Sequence, residues 1–149
     1  MESRFYFAVV LLAGLAVGVA LHTPSAAVWA QTGRSIADGV YTEEQAKRGE
    51  TVFTDTCAVC HGADLKGSDF VPTLTGFPFL ESWKDKTAGD LFEKIRSTMP
   101  AVAPGTLTPE QSIDAVAYIL SVAKYPVGAA ELPAEVDELK QIRIEAPNP

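Results

Sequence analysis

Cysteine, histidine and methionine are scarce in this sequence, with two of each among 149 residues. Basic residues are also few, since 12 Lys and Arg stand against 19 Asp and Glu, which gives a formal net charge of −7. Nucleic acids and anionic lipid surfaces both attract positive charge, so this balance argues against a role in binding either. The sequence contains no recognisable repeat, and its length suits one ordinary domain.

The longest apolar run lies at the N-terminus, where residues 5–21 carry no charge and follow Arg4. Small residues come next, and cleavage after Ala27 or Ala30 fits the pattern of a secretory signal peptide. We therefore expect residues 1–30 to be a signal peptide, with an uncleaved membrane anchor as the alternative. In both cases the rest of the chain is exported, and we expect a periplasmic, oxidising location.

Three helices are predicted from capping signals, in which a threonine hydroxyl accepts a backbone N–H and a side chain three residues later reaches back. The N-cap residues are Thr42, Thr87 and Thr108, and proline follows the last of them. Each helix then carries an apolar stripe at helical spacing. The stripes are Ala46, Gly49 and Phe53; Leu91, Phe92 and Ile95; and Ile113, Val116, Ala117 and Leu120. Strand-like alternation is rare, so we expect an all-α fold with three core helices.

The segments around these helices differ in composition. Residues 31–40 are polar and contain glycine, which predicts a flexible lead-in. We assign residues 41–125 to the domain and residues 126–149 to a C-terminal extension. Within these segments we expect a loop rich in Gly, Pro and aromatic residues over 62–86 and a short helix over about 133–141.

The stretch CAVCH, residues 57–61, contains both cysteines and one of the two histidines. A zinc site needs four ligands, and a carboxylate such as Asp64 would have to complete a crowded set. A thioredoxin-like dithiol follows a strand, and no strand pattern precedes this pair. At i, i+3 and i+4 the three side chains instead leave one helical face. C-x-x-C-H is the attachment signal of c-type haem, so we expect Cys57, Cys60 and His61 to hold one covalent haem c and its iron.

The second iron ligand is predicted by elimination within the exported chain. His22 and Met1 both fall in the predicted signal peptide, which leaves His61 and Met99 as the remaining histidine and methionine. Met99 precedes Pro100 in a loop, where a thioether can be held against a haem face. The alternative is a methionine that fills a gap in the core. We expect His61 and Met99 to be the two metal ligands.

Together these motifs resemble class I monohaem cytochromes c over residues 41–125. The resemblance implies that Gly49 lets the C-terminal helix cross closely and that Phe53 packs against Tyr118. It also implies that the backbone carbonyl of Pro72 accepts the ring N–H of the haem histidine. A simple turn proline is the alternative at that position.

Position and residue type suggest roles for further side chains around the haem. Trp83 is expected to donate its indole N–H to a haem propionate or, alternatively, to be a core aromatic. Basic side chains at Lys84, Lys86, Lys94 and Arg96 are expected to form a solvated face, with a partner contact as the alternative. The residues expected to form the apolar shell are Phe70, Phe77, Phe79, Leu80, Leu91, Phe92, Ile95 and Tyr118.

Two stretches, DLFEKIRSTMP and VGAAELPAEVDELKQIRI, resemble small periplasmic cytochromes c that accompany quinoprotein dehydrogenases. This narrower resemblance implies a pyrroloquinoline quinone (PQQ) dehydrogenase as electron donor, and we expect a terminal oxidase or another redox protein as acceptor. An iron with both axial positions filled carries single electrons rather than binding substrate, so no catalytic residue is expected. Two alternatives are a haem enzyme or gas sensor with a labile sixth ligand, and a fixed cytochrome subunit of a dehydrogenase or oxidase complex.

Overall fold

The computed structural model describes residues 33–146, so the predicted signal peptide lies outside the described residues. The described elements, in chain order, are β1 (Arg34–Ser35), α1 (Glu43–Thr56), α2 (Ala58–His61), α3 (Gly76–Trp83), α4 (Ala88–Thr98), α5 (Pro109–Val122), α6 (Val136–Leu139) and β2 (Ile142–Arg143). The prediction of an all-α fold is confirmed. None of the helices in the described part of the chain is long and apolar enough to cross a membrane.

The three predicted core helices α1, α4 and α5 begin at their predicted N-caps. The hydroxyl oxygens of Thr42, Thr87 and Thr108 each accept the backbone N–H three residues later. The reciprocal half of the capping box forms at α4 and α5, but it is absent at α1. There Gln45 turns to the C-terminal segment instead, where its amide donates to the Leu132 carbonyl and accepts the Leu132 N–H, at 3.0 and 2.8 Å. Every residue of the three predicted apolar stripes is buried.

Helices α1 and α5 cross at Gly49, as the sequence predicts. A Cβ atom at Gly49 would collide with the backbone carbonyl oxygen of Asp114 on α5. One turn further along α1, the ring of Phe53 lies 5.3 Å from that of Tyr118, centroid to centroid. The missing side chain thus brings the two backbones into contact, and the aromatic pair fills the space beside them.

The structure differs from the flexible lead-in predicted for residues 31–40. The strand β1 in this segment pairs in parallel with β2, with Arg34 opposite Ile142. A turn of 3-10 helix follows over Ile36–Asp38, and Ile36 is fully buried. The composition of the segment gives no sign of this strand, because its partner strand lies more than 100 residues away in the sequence.

The C-terminal extension packs on the domain rather than projecting from it. Its described part, residues 126–146, is called the C-terminal strap below. Four of its apolar side chains are almost completely buried, and these are Leu132, Leu139, Ile142 and Ile144. The predicted helix over 133–141 is reduced to the single turn of α6.

Helix α3 was not predicted and lies within the region expected to be a loop. It has eight residues, and its N-cap Thr75 makes no side-chain capping hydrogen bond. Phe79 is its one fully buried residue. A helix this short, with no capping signal and one buried side chain, leaves little pattern in the sequence.

Candidate haem-binding site

The CAVCH residues lie where α1 ends and α2 begins. Cys57 is both the C-cap of α1 and the N-cap of α2, and its N–H donates to the Phe53 carbonyl at 2.8 Å. The N–H of His61 returns to the Cys57 carbonyl at 3.0 Å. The two cysteines form no disulfide, and Cys57 is half-buried whereas Cys60 is exposed. One helical turn therefore carries two reduced sulfurs and an imidazole.

His61 is buried and its ring orientation is fixed. Its Nδ1 lies 3.0 Å from the carbonyl oxygen of Pro72, and a carbonyl can only accept a hydrogen bond. Nδ1 therefore carries the ring proton, which leaves the Nε2 lone pair free for a metal. Nε2 has no hydrogen-bond partner among residues 33–146. This is the tautomer and the backbone partner that metal-binding histidines use.

The segment that carries Pro72 is held to the CAVCH turn by backbone hydrogen bonds. The Gly67 N–H donates to the His61 carbonyl at 2.8 Å, and the Leu74 N–H donates to the Leu65 carbonyl at 2.8 Å. Leu65 itself is buried in the core. The carbonyl that orients His61 is thus fixed by the fold rather than by a single flexible loop.

The environment of Cys57 keeps its sulfur in the thiol form. Burial, followed by the charge of the neighbouring Cys60, raises the pKa of the Cys57 thiol. A raised pKa means that a smaller fraction of the Cys57 sulfur is thiolate, which is the reactive form.

Met99 is the first residue after α4. Its N–H donates to the Ile95 carbonyl at 2.9 Å, and its backbone is extended at the helix C-cap. The side chain is partly buried and packs against the core, as Cys57 does. The helix therefore sets the position of the thioether, because Met99 is bonded to its last turn.

Trp83, at the end of α3, is partly buried. Its ring lies 6.2 Å from that of Phe79, and the Lys86 ammonium lies 4.7 Å from the indole centroid. Two residues of the predicted basic face therefore have partners within the protein. Lys86 packs on the indole ring of Trp83, and Lys84 forms an ion pair with Glu81 at 2.9 Å. The hydrogen bond from Trp83 to a propionate stays a prediction.

The predicted apolar shell divides into two groups. Phe79, Leu91, Phe92 and Ile95 are buried, and Leu80 and Tyr118 are partly buried. Phe70 and Phe77 are instead 97% and 72% exposed on the polypeptide surface, and their contact with the haem stays a prediction. Hydrophobic character alone does not fix burial within the polypeptide.

Large exposed apolar side chains concentrate in the segments that carry the candidate ligands. Four of the five found among residues 33–146 are Val59 within CAVCH, Phe70 beside Pro72, Phe77 at the start of α3, and Val102 after Met99, and the fifth is Val127 in the C-terminal strap. The loop after Met99 is uncharged over residues 99–109. Two thiols, an imidazole with a free Nε2, a thioether and apolar surroundings together fit haem c.

The fold and these donor groups define a c-type cytochrome. Residues 44–119, just over half of the chain, match the family described as cytochrome c oxidase, cbb3-type, subunit III, and the chain belongs to that family. Covalently bound haem c with iron, the cofactor predicted from CAVCH, is confirmed. The protein is an electron-transfer cytochrome.

Two known proteins show the extent of the similarity. The cbb3-type cytochrome c oxidase subunit CcoP of Rubrivivax gelatinosus is 35% identical over 86 residues, which are 52% of this chain and 26% of that protein. The chain thus spans about a quarter of the length of this curated relative. A chain in the crystal structure of the sulfane dehydrogenase SoxCD from Paracoccus pantotrophus superposes with a TM-score of 0.47 and 18% identity, covering 71% of this chain and 60% of that one.

Proposed function

We propose that this protein is a periplasmic one-electron carrier whose haem c is attached through Cys57 and Cys60 and ligated by His61 and Met99. Residues 1–30 direct its export. The observation that carries the proposal is the 3.0 Å contact between His61 Nδ1 and the Pro72 carbonyl oxygen. This contact occupies Nδ1 and leaves the other ring nitrogen, Nε2, for the iron.

The residues around the site have separate roles in this proposal. Haem c, when bound, supplies the Fe(II)/Fe(III) couple that carries one electron. The Pro72 carbonyl holds the imidazole of His61 and increases its basicity as a ligand. The Met99 thioether favours the ferrous state and raises the potential. Two ligands from the chain leave no open axial position, which favours a carrier over an enzyme or a gas sensor.

The proposed partners are other periplasmic redox proteins. A PQQ-dependent dehydrogenase is the proposed electron donor, on the strength of the resemblance in residues 90–100 and 127–144, and a terminal oxidase is the proposed acceptor. The net charge of −7 suits a basic docking face on a partner. Carriers of this kind make small, short-lived contacts.

Replacement of Met99 by alanine tests the ligand assignment. We expect Met99→Ala to keep its covalent haem, to bind carbon monoxide when reduced, and to have a lower potential than the parent, because the thioether no longer occupies the axial position. Ser97→Ala, an exposed change two residues before Met99, is the matched control and should behave like the parent. If Met99→Ala keeps the spectrum and potential of the parent, Met99 is not the ligand.

A second candidate is a fixed subunit of an oxidase or dehydrogenase complex. The observation that favours it is the family itself, which is described as an oxidase subunit. Purification of the chain from its own host at high salt separates the two candidates. A free carrier leaves its partners under these conditions, whereas a subunit co-purifies with them in fixed proportion.

A further inference from the structure

Helix α4, which ends just before Met99, is joined to the C-terminal strap by backbone contacts at its N-terminal end. The N–H of Ile144 donates to the Lys86 carbonyl at 2.8 Å. Arg143 forms an antiparallel bridge with Thr87, the N-cap of α4. The strap therefore pairs with the two residues that lead into the helix.

A second contact lies in the first turn of α4. A Cβ atom at Gly89 would lie 3.0 Å from the backbone nitrogen of Lys140 and 3.3 Å from the carbonyl carbon of Leu139. At these distances an added side chain would have to displace the strap by a few tenths of an ångström, so the helix backbone lies close against the strap. One turn later, the Lys140 ammonium lies 3.3 Å from a carboxylate oxygen of Glu93.

The other side of α4 faces the core. Leu91, Phe92 and Ile95 are buried there. The helix thus cannot rotate or slide without disturbing either the core or the strap. Since the Met99 N–H is bonded to the Ile95 carbonyl, a shift of the helix carries Met99 with it.

We propose that the C-terminal strap is a positioning element for Met99, because it fixes α4 and so keeps the thioether on the iron. This inference rests on the proposed function, in which Met99 is the axial ligand. Leu139 is its central residue, since it is fully buried where α6 meets α4. Loosening this contact increases the fraction of molecules in which Met99 is detached.

The test compares two leucines of the same strap in the haem-loaded full chain. Leu139→Ala removes a buried side chain next to α4, whereas Leu132→Ala removes one whose backbone is bonded to Gln45 of α1. Imidazole is added to the ferric protein, and its apparent affinity reports the fraction with an open axial position. We expect Leu139→Ala to bind imidazole about tenfold more tightly than the parent, and Leu132→Ala to bind it like the parent.

The outcomes separate the two levels of the proposal. The proposed function fails if the parent has no sulfur-to-iron absorption band. It also fails if Met99→Ala has the same spectrum and potential as the parent. If the parent has that band but Leu139→Ala binds imidazole no more tightly, the strap does not position Met99. Equal effects in both leucine variants also overturn the inference, because they indicate general loosening. The milder Leu139→Val replaces Leu139→Ala if the alanine variant does not fold, with the same expected direction.

Discussion

At the crossing of α1 and α5, the absence of a side chain at Gly49 lets the two helix backbones come into contact. At an exposed helix position, replacing glycine by alanine stabilises by about 1 kcal/mol. At Gly49 the added methyl group would collide with the Asp114 carbonyl oxygen, and overpacking of this kind costs about 1–3 kcal/mol or more. The collision outweighs the gain in helix propensity.

We therefore predict that Gly49→Ala lowers the free energy of unfolding by about 1–2 kcal/mol. Glu50→Ala, an exposed change at the next position of the same helix, is the control and should have little effect. Denaturant unfolding of the two haem-loaded variants measures the difference. A Gly49→Ala variant as stable as the parent would show that the helices do not cross at this residue.

The phenol of Tyr125 predicts a pH dependence at the residue scale. Burial raises the pKa of Tyr125 to about 12, whereas an unfolded tyrosine ionises near about 10. Between these values the unfolded chain has lost a proton that the folded chain keeps, so stability is fully present below about pH 10 and falls as the pH rises towards 12. Tyr125→Phe should flatten this decline. Unfolding in urea at several pH values measures it, and parallel curves for parent and variant would contradict the assignment.

Helices and the strap are joined by polar contacts that no local pattern predicts. Gln45 of α1 bonds to both backbone groups of Leu132, and all of these atoms are buried. Gln45→Ala leaves an N–H and a carbonyl without partners inside the protein, and each such group costs about 1–3 kcal/mol.

The predicted loss of stability for Gln45→Ala is therefore at least about 2 kcal/mol. Gln45→Glu still accepts the Leu132 N–H, but it places a buried carboxylate oxygen against the Leu132 carbonyl oxygen. It should therefore be at least as destabilised as the alanine variant at neutral pH. Thermal unfolding followed by circular dichroism ranks the three proteins. Equal stabilities would mean that the strap does not depend on this contact.

At the scale of whole elements, the helices that could be predicted are those whose signals lie close together in the sequence. The caps at Thr42, Thr87 and Thr108 and the stripes behind them lie within a few residues of each other, so the sequence carries the helices α1, α4 and α5. The turn of CAVCH is equally local. Gln45 shows the limit, because the capping box fits the sequence but a distant backbone competes successfully for its side chain.

At the scale of the whole molecule, the contacts that escaped prediction are those between distant segments. β1 pairs with β2 across most of the domain, and the strap packs on α4 through a glycine that looks unremarkable in the sequence. The exposure of Phe70 and Phe77 is also set by tertiary structure rather than by residue type. The sequence was sufficient for the cofactor chemistry because haem attachment needs only one helical turn.

The proposed role of the whole molecule is that of an electron carrier whose haem is held between His61 and Met99. The most direct test is the absorption spectrum of the full chain, produced in a host that matures c-type haem and recorded in both oxidation states. We expect a sharp reduced α band that survives acid-acetone extraction and a weak long-wavelength ferric band from the Met99 sulfur. Covalent haem without the ferric band would contradict axial ligation by Met99 and favour an enzyme or sensor.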